Sequence, residues 1–141
     1  VSLPGGFVYV DDLIPDIFID IRDSTEGSLP NTAILTQKAA RALADAQQKL
    51  SEMDLALQIM DAYRPQQSVG FRTAHQRGSA VDVTLIDLKT GQDADMGDKN
   101  RGLLRRIMED SGFKAEAGEW WHFTLKDEPF PGRYFDFPVE R

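Results

Sequence analysis

A chain of 141 residues and 15.8 kDa has room for one domain with one core, because two domains of half that length would each sit near the lower limit of independent stability. At 41% hydrophobic and 28% charged residues it is globular in composition, and its 23 acidic against 16 basic residues leave a formal charge of −7 that argues against a nucleic-acid partner. No apolar run approaches the roughly 20 residues that span a bilayer, and the absence of cysteine excludes disulfides, a thiolate nucleophile and a Cys-type zinc site.

After Pro4, Gly5 and Gly6, residues 17–21 (Ile17, Phe18, Ile19, Asp20, Ile21) alternate apolar and polar, which predicts a half-buried strand. Residues 23–31 collect Ser24, Thr25, Gly27, Ser28, Pro30 and Asn31 and predict a loop. From Thr36, a good N-cap, apolar residues recur at Ala39, Ala40, Leu43, Ala46, Leu50 and Met53, the spacing of an amphipathic helix. Residues 55–60 read as a strand that ends in Asp61-Ala62-Tyr63-Arg64-Pro65, where proline stops the ladder and holds Arg64 extended. Residues 80–88 alternate again, with Val81, Val83 and Leu85 on one face and Ala80, Asp82 and Thr84 on the other. A second helix is predicted over 100–111 with Gly112 at its C-terminal end, followed by an aromatic, β-branched strand over 120–125. Strands and helices interleave without a βαβ period, so the expected class is α+β: a single domain over 1–141, with a small antiparallel sheet and about two main helices packed on it.

The chain holds only two histidines, and each has a carboxylate nearby: His75 seven residues before Asp82, and His122 three residues after Glu119. Catalytic zinc sites take three ligands from His, Asp and Glu and leave a fourth position for water, so His75, Asp82 and His122 suffice and Glu119 is left over as a base. In an ideal strand Glu119 and His122 would face opposite sides, so the segment must begin, bulge or twist near Trp120. Taken singly, each of these residues reads as an ordinary loop, core or surface side chain. The strings Asp61-Ala62-Tyr63-Arg64-Pro65, His75-Gln76-Arg77-Gly78-Ser79-Ala80-Val81-Asp82 and Glu119-Trp120-Trp121-His122 in one chain are far more specific.

On these three motifs the chain resembles the zinc D-alanyl-D-alanine dipeptidases of the vancomycin-resistance type, relatives of D,D-carboxypeptidases with a Hedgehog-like fold. The opening Gly6-Phe7-Val8-Tyr9-Val10 and the closing Phe135-Asp136-Phe137-Pro138-Val139 are similar to that family's two ends, so the match spans nearly the whole length. The resemblance implies one zinc per chain on His75, Asp82 and His122, Glu119 as general base, Arg64 as the cation at the tetrahedral intermediate, and a small D-amino-acid dipeptide as substrate. Thr73 falls near a position that contacts the substrate carboxylate. Compared with the family the chain is short at three places: between Arg22 and Asn31, between Val69 and Phe71, and between Gly97 and Asn100. Asp98 then stands nearest to the aspartate that holds the substrate amine. The implied activity is hydrolysis of D-Ala-D-Ala in cell-wall precursor metabolism or glycopeptide resistance, in the cytoplasm in preference to the periplasm or exterior. Alternatives are a D,D-carboxypeptidase acting on longer peptides and a zinc-stabilised module that binds cell-wall peptides without cleaving them. A non-heme iron facial triad also uses two histidines and a carboxylate, but its usual scaffold is all-β and gives Glu119 no role.

Overall fold

Thr36 marks the point where the chain turns from strand to helix: its Oγ1 accepts the Ala39 N–H, and its own N–H donates to the Gly78 carbonyl across the fold. The computed structural model describes residues 2–22, 30–66 and 71–141, so the predicted 23–31 loop and the shortening near Val69 lie largely outside the described residues. In chain order the elements are β1 (Phe7–Tyr9), α1 (Val10–Leu13), β2 (Phe18–Ile19), β3 (Ile34–Thr36), α2 (Gln37–Ser51), β4 (Leu55–Asp61), a 3-10 turn (Ala74–Arg77), β5 (Ala80–Asp87), β6 (Gln92–Asp93), α3 (Asp98–Asp110), β7 (Phe113–Glu116) and β8 (Glu119–Leu125). The α+β class and the two main helices agree with the sequence. The short α1 has no sequence signal, α3 starts two residues earlier than predicted, and Met53 lies beyond α2 and is exposed.

The main sheet runs β2-β4-β5-β8-β7, with β6 beside the last two residues of β5, and β1 and β3 form a separate antiparallel pair. The sheet is antiparallel except that β2 pairs parallel with β4, over two residues only. The strand expected across 17–21 is thus cut to Phe18–Ile19, because the chain reaches β4 as a short edge and then turns away. Burial on β5 also departs from simple alternation: Ala80 and Thr84 are buried along with Val81, Val83 and Leu85, since α2 and α3 cover one face and site residues and loops much of the other. Leu43, Leu50, Leu57, Leu85, Leu104, Met108, Phe113 and Phe123 are fully buried in the core between helices and sheet. Buried Gln47 on α2 accepts the Leu57 N–H at 2.8 Å and so ties the helix to β4. No helix among the described residues is long and apolar enough to cross a membrane.

A second, aromatic cluster joins the two ends of the chain. Phe7, Ile34, Tyr63, Phe135 and Val139 are buried together, Tyr63 stacks on Phe137 at 4.1 Å, and the Tyr63 hydroxyl donates to the Phe137 carbonyl at 2.7 Å. Gly78 ends the 3-10 turn at φ +85°, and a Cβ there would run into the Phe7 ring. Gly78→Ala therefore adds both left-handed backbone strain and overpacking, and should destabilise the protein by roughly 2–4 kcal/mol. Thermal unfolding checks this, and a Tm within about a degree of wild type would contradict the packing described.

Candidate active site

Three adjacent strands place three polar residues in one row. Asp82 on β5 lies directly opposite His122 on β8, and on its other side it is paired with Asp61 on β4. Regular pairing from Ile59↔Val83 would bring Met60 opposite Asp82, but the register of β4 shifts between Ile59 and Asp61. A bulge adds one residue to one strand and so changes which side chain occupies a given face. Here it puts a carboxylate, not a methionine, next to Asp82.

The predicted irregularity near Trp120 is also present. β7 and β8 pair Ala115 with Phe123, yet Glu116 with Glu119, so β8 carries extra residues over Trp120–His122. As a result Glu119, exposed at the start of β8, and His122 line the same cavity of about 480 Å³, together with Arg64, Phe71, Thr73, Ala74, His75, Asp82 and Glu116.

His75 enters from the 3-10 turn and is buried. Its Nδ1 lies 2.9 Å from the Ala62 carbonyl oxygen. A carbonyl only accepts, so Nδ1 carries the proton there and Nε2 faces the site, 3.4 Å from Asp82 Oδ1 and 3.8 Å from Asp61 Oδ2. His122 Nδ1 meets Asp82 Oδ1 at 2.8 Å, and its Nε2 lies 3.4 Å from Thr124 Oγ1. The turn is held by buried Gln76, which accepts the Thr73 N–H and donates to the Phe71 carbonyl.

Electrostatically the cluster is tightly coupled. Burial alone would raise the pKa of Asp82, but hydrogen bonds from His122 and His75, and their charge, overcome it and hold the carboxyl well below the usual carboxylate range. Burial pulls His75 down, and the hydrogen bond to Asp82 with the charges of Asp61 and Asp82 outweighs it, so its pKa is raised. Asp61 is raised, mainly by burial, with His75 and Arg64 opposing. Two imidazoles flank one carboxylate, each with its far nitrogen held by an oxygen, which is the outer support that metal-ligating histidines have.

The donor set fits zinc. His75, Asp82 and His122 each offer one ligand atom, and all these atoms lie within 4.8 Å of one another. Tetrahedral zinc with bonds of about 2.0–2.1 Å spaces its ligand atoms about 3.3–3.4 Å apart. The His75–Asp82 separation already matches, and the 2.8 Å His122–Asp82 contact needs to open only slightly as the shared proton leaves.

Arg64 stands on the cavity wall with its Nε 3.1 Å from Asp61 Oδ2, an ion pair whose Nε lacks hydrogen-bond alignment. Thr73 lies on the same wall, and its buried Oγ1 has no partner with hydrogen-bond geometry. Asp98 is different: it is exposed in the first turn of α3 and does not line this cavity. The site thus brings together six of the seven predicted residues. Asp61, which the sequence marks only as the first residue of the Asp61-Ala62-Tyr63-Arg64-Pro65 motif, is a full member of the cluster.

Comparison with known proteins identifies the family. The family model for D-Ala-D-Ala dipeptidase, Peptidase_M15, matches residues 97–140. The D-alanyl-D-alanine dipeptidase of Streptomyces coelicolor is 31% identical over 201 aligned positions, covering 97% of this chain and 100% of that protein. The Enterococcus faecium D-alanyl-D-alanine dipeptidase is 43% identical over 93 residues, covering 51% of this chain and 46% of its own length. The LdcB LD-carboxypeptidase structure shares the fold, with a TM-score of 0.56 at 14% identity over 91% of this chain and 71% of that one. With near-complete coverage at this identity, and three motifs that converge in one cavity, the chain belongs to the D-alanyl-D-alanine dipeptidase family.

Proposed function

We propose that the protein hydrolyses the D-Ala-D-Ala dipeptide with one zinc ion held by His75, Asp82 and His122. The observation that carries this reading is the Asp82–His122 cross-strand pair with His75 Nε2 presented to it, in a cavity that Glu119 and Arg64 also line. Zinc bound by these residues supplies a Lewis acid for the scissile carbonyl and lowers the pKa of water towards neutrality.

The rest of the chemistry belongs to the chain's own side chains. Glu119 has no place among the ligands and accepts the proton of the attacking water, then delivers it to the leaving amine. Arg64 lies on the wall where charge develops on the carbonyl oxygen, and its guanidinium stabilises that charge in a partly dehydrated site. Asp61 restrains the guanidinium from its Nε side, which leaves the terminal nitrogens for the substrate. Thr73 Oγ1 provides a donor for the substrate's terminal carboxylate.

Three outcomes follow. Elemental analysis should find one zinc per chain in wild type and little in His122→Ala; equal zinc in both would refute the ligand set. Glu119→Gln should keep its zinc and lose two to four orders of magnitude in kcat, and a loss below about tenfold would remove its role as base. Arg64→Lys should lower kcat more than it changes KM, because an ammonium cannot reproduce the fork of the guanidinium; a change confined to KM would place Arg64 in ground-state binding instead.

A further inference from the structure

Glu119 stands at one end of a stretch of β8 that the sheet does not hold. Pairing with β5 ends at Asp82↔His122, and pairing with β7 passes from Ala115↔Phe123 straight to Glu116↔Glu119, so Trp120 and Trp121 have no residue paired opposite them on either side. His122, at the other end of the stretch, is secured by Asp82 and Thr124. Glu119 has only Glu116 across from it, and like charges directly opposite weaken a pair. Neither of these carboxylates has a hydrogen bond or ion pair among the described residues.

The two glutamates also line a hollow of about 380 Å³ against α3, together with Arg101, Arg105 and Trp120. Arg105 is taken by Glu109 at 3.4 Å. Arg101 forms no ion pair among the described residues, although both glutamates line the same hollow; its guanidinium instead lies over the Trp120 ring, 4.9 Å from the centroid and within cation–π range. Trp121 meets the same indole edge-on, with centroids 5.6 Å apart. Arg101 projects from a rigid element: α3 buries Leu104, Ile107 and Met108 in the core, and the Arg101 N–H donates to the Gly97 carbonyl at 3.0 Å.

Trp120 follows Glu119 directly in the chain, so fixing its indole fixes the backbone that carries the carboxylate. A general base works only within hydrogen-bond reach of the proton it takes, and a small misplacement lowers the rate steeply. We infer that Arg101 is a positioning residue: by stacking on Trp120 it holds the unpaired stretch of β8 so that Glu119 faces the metal cavity. The inference rests on the proposed role of Glu119 as base. Arg101 itself lines the hollow and not the metal cavity, so it acts through Trp120 and leaves the metal ligands and the substrate's ground-state contacts alone.

A contact shifts the population of a segment by no more than its own strength, which for a cation over a partly covered indole is about three- to tenfold. Zinc-loaded wild type and Arg101→Met, which keeps an unbranched side chain and removes the charge, are compared on D-Ala-D-Ala. Arg101→Met should lower kcat by about three- to tenfold, change KM by less than about twofold, and keep one zinc per chain. In the Glu119→Gln background, and separately in the Trp120→Leu background, the same substitution should lower kcat no further, since the residue it acts through is gone. An unchanged kcat in Arg101→Met, a change carried by KM, loss of zinc, or the same fractional fall in both backgrounds would overturn the inference and spare the proposed function. Release of no D-alanine by wild type would refute the hydrolytic reading, and this inference with it.

Discussion

The functional geometry depends on the register of one strand. β5 holds Asp82 between β4 and β8, and the neighbours opposite it are decided by where those two strands slip. A one-residue slip in a sheet exchanges every side chain between faces. The slip in β4 brings Asp61 to Asp82, and the extra residues of β8 bring Glu119 round to the cavity that His122 lines. Both irregularities sit within a residue or two of the cluster, where an ideal ladder would have delivered Met60 in place of Asp61 and turned Glu119 away.

A row of carboxylates and imidazoles this deep is costly unless every member is compensated. The compensation is visible around the cluster: Ala62 and Thr124 oxygens take the outer nitrogens of the histidines, Arg64 balances Asp61, and the histidines balance Asp82. The same loops are clamped from outside. Gly78 lets the His75 turn close against Phe7, and the aromatic cluster of Phe7, Tyr63, Phe135 and Phe137 ties both ends of the chain beneath Arg64's own loop. The two terminal motifs are thus buttresses of the site and contribute no residue to its chemistry.

Much of this was legible in the sequence, for identifiable reasons. α2 and α3 were readable from their 3.6-residue periodicity, β4 from its apolar run, β5 from its alternation and β8 from its aromatic and β-branched residues. The cluster of His75, Asp82 and His122, with Glu119 on the same cavity, was legible because a chain with two histidines allows few arrangements. Other features had no local signal. The α1 turn, the parallel β2–β4 contact and the Gln47–Leu57 bond are decided by tertiary contacts. Asp61 carries no local signal of its role because its partners lie 3, 14 and 21 positions away and meet only once the β4 bulge exists. Asp98 was drawn in by chain proximity to Met96-Gly97, but helix α3 begins at that residue and carries it along an exposed first turn.

Anomalous diffraction at the zinc edge from crystals of the zinc-loaded protein tests most directly whether the strand register builds a three-ligand cation site. A single peak should lie about 2.0–2.2 Å from His75 Nε2, an Asp82 oxygen and His122 Nδ1, with Glu119 outside bonding distance. A peak elsewhere, or one in which Asp61 or Glu119 replaces one of these three ligands, would contradict that ligand set.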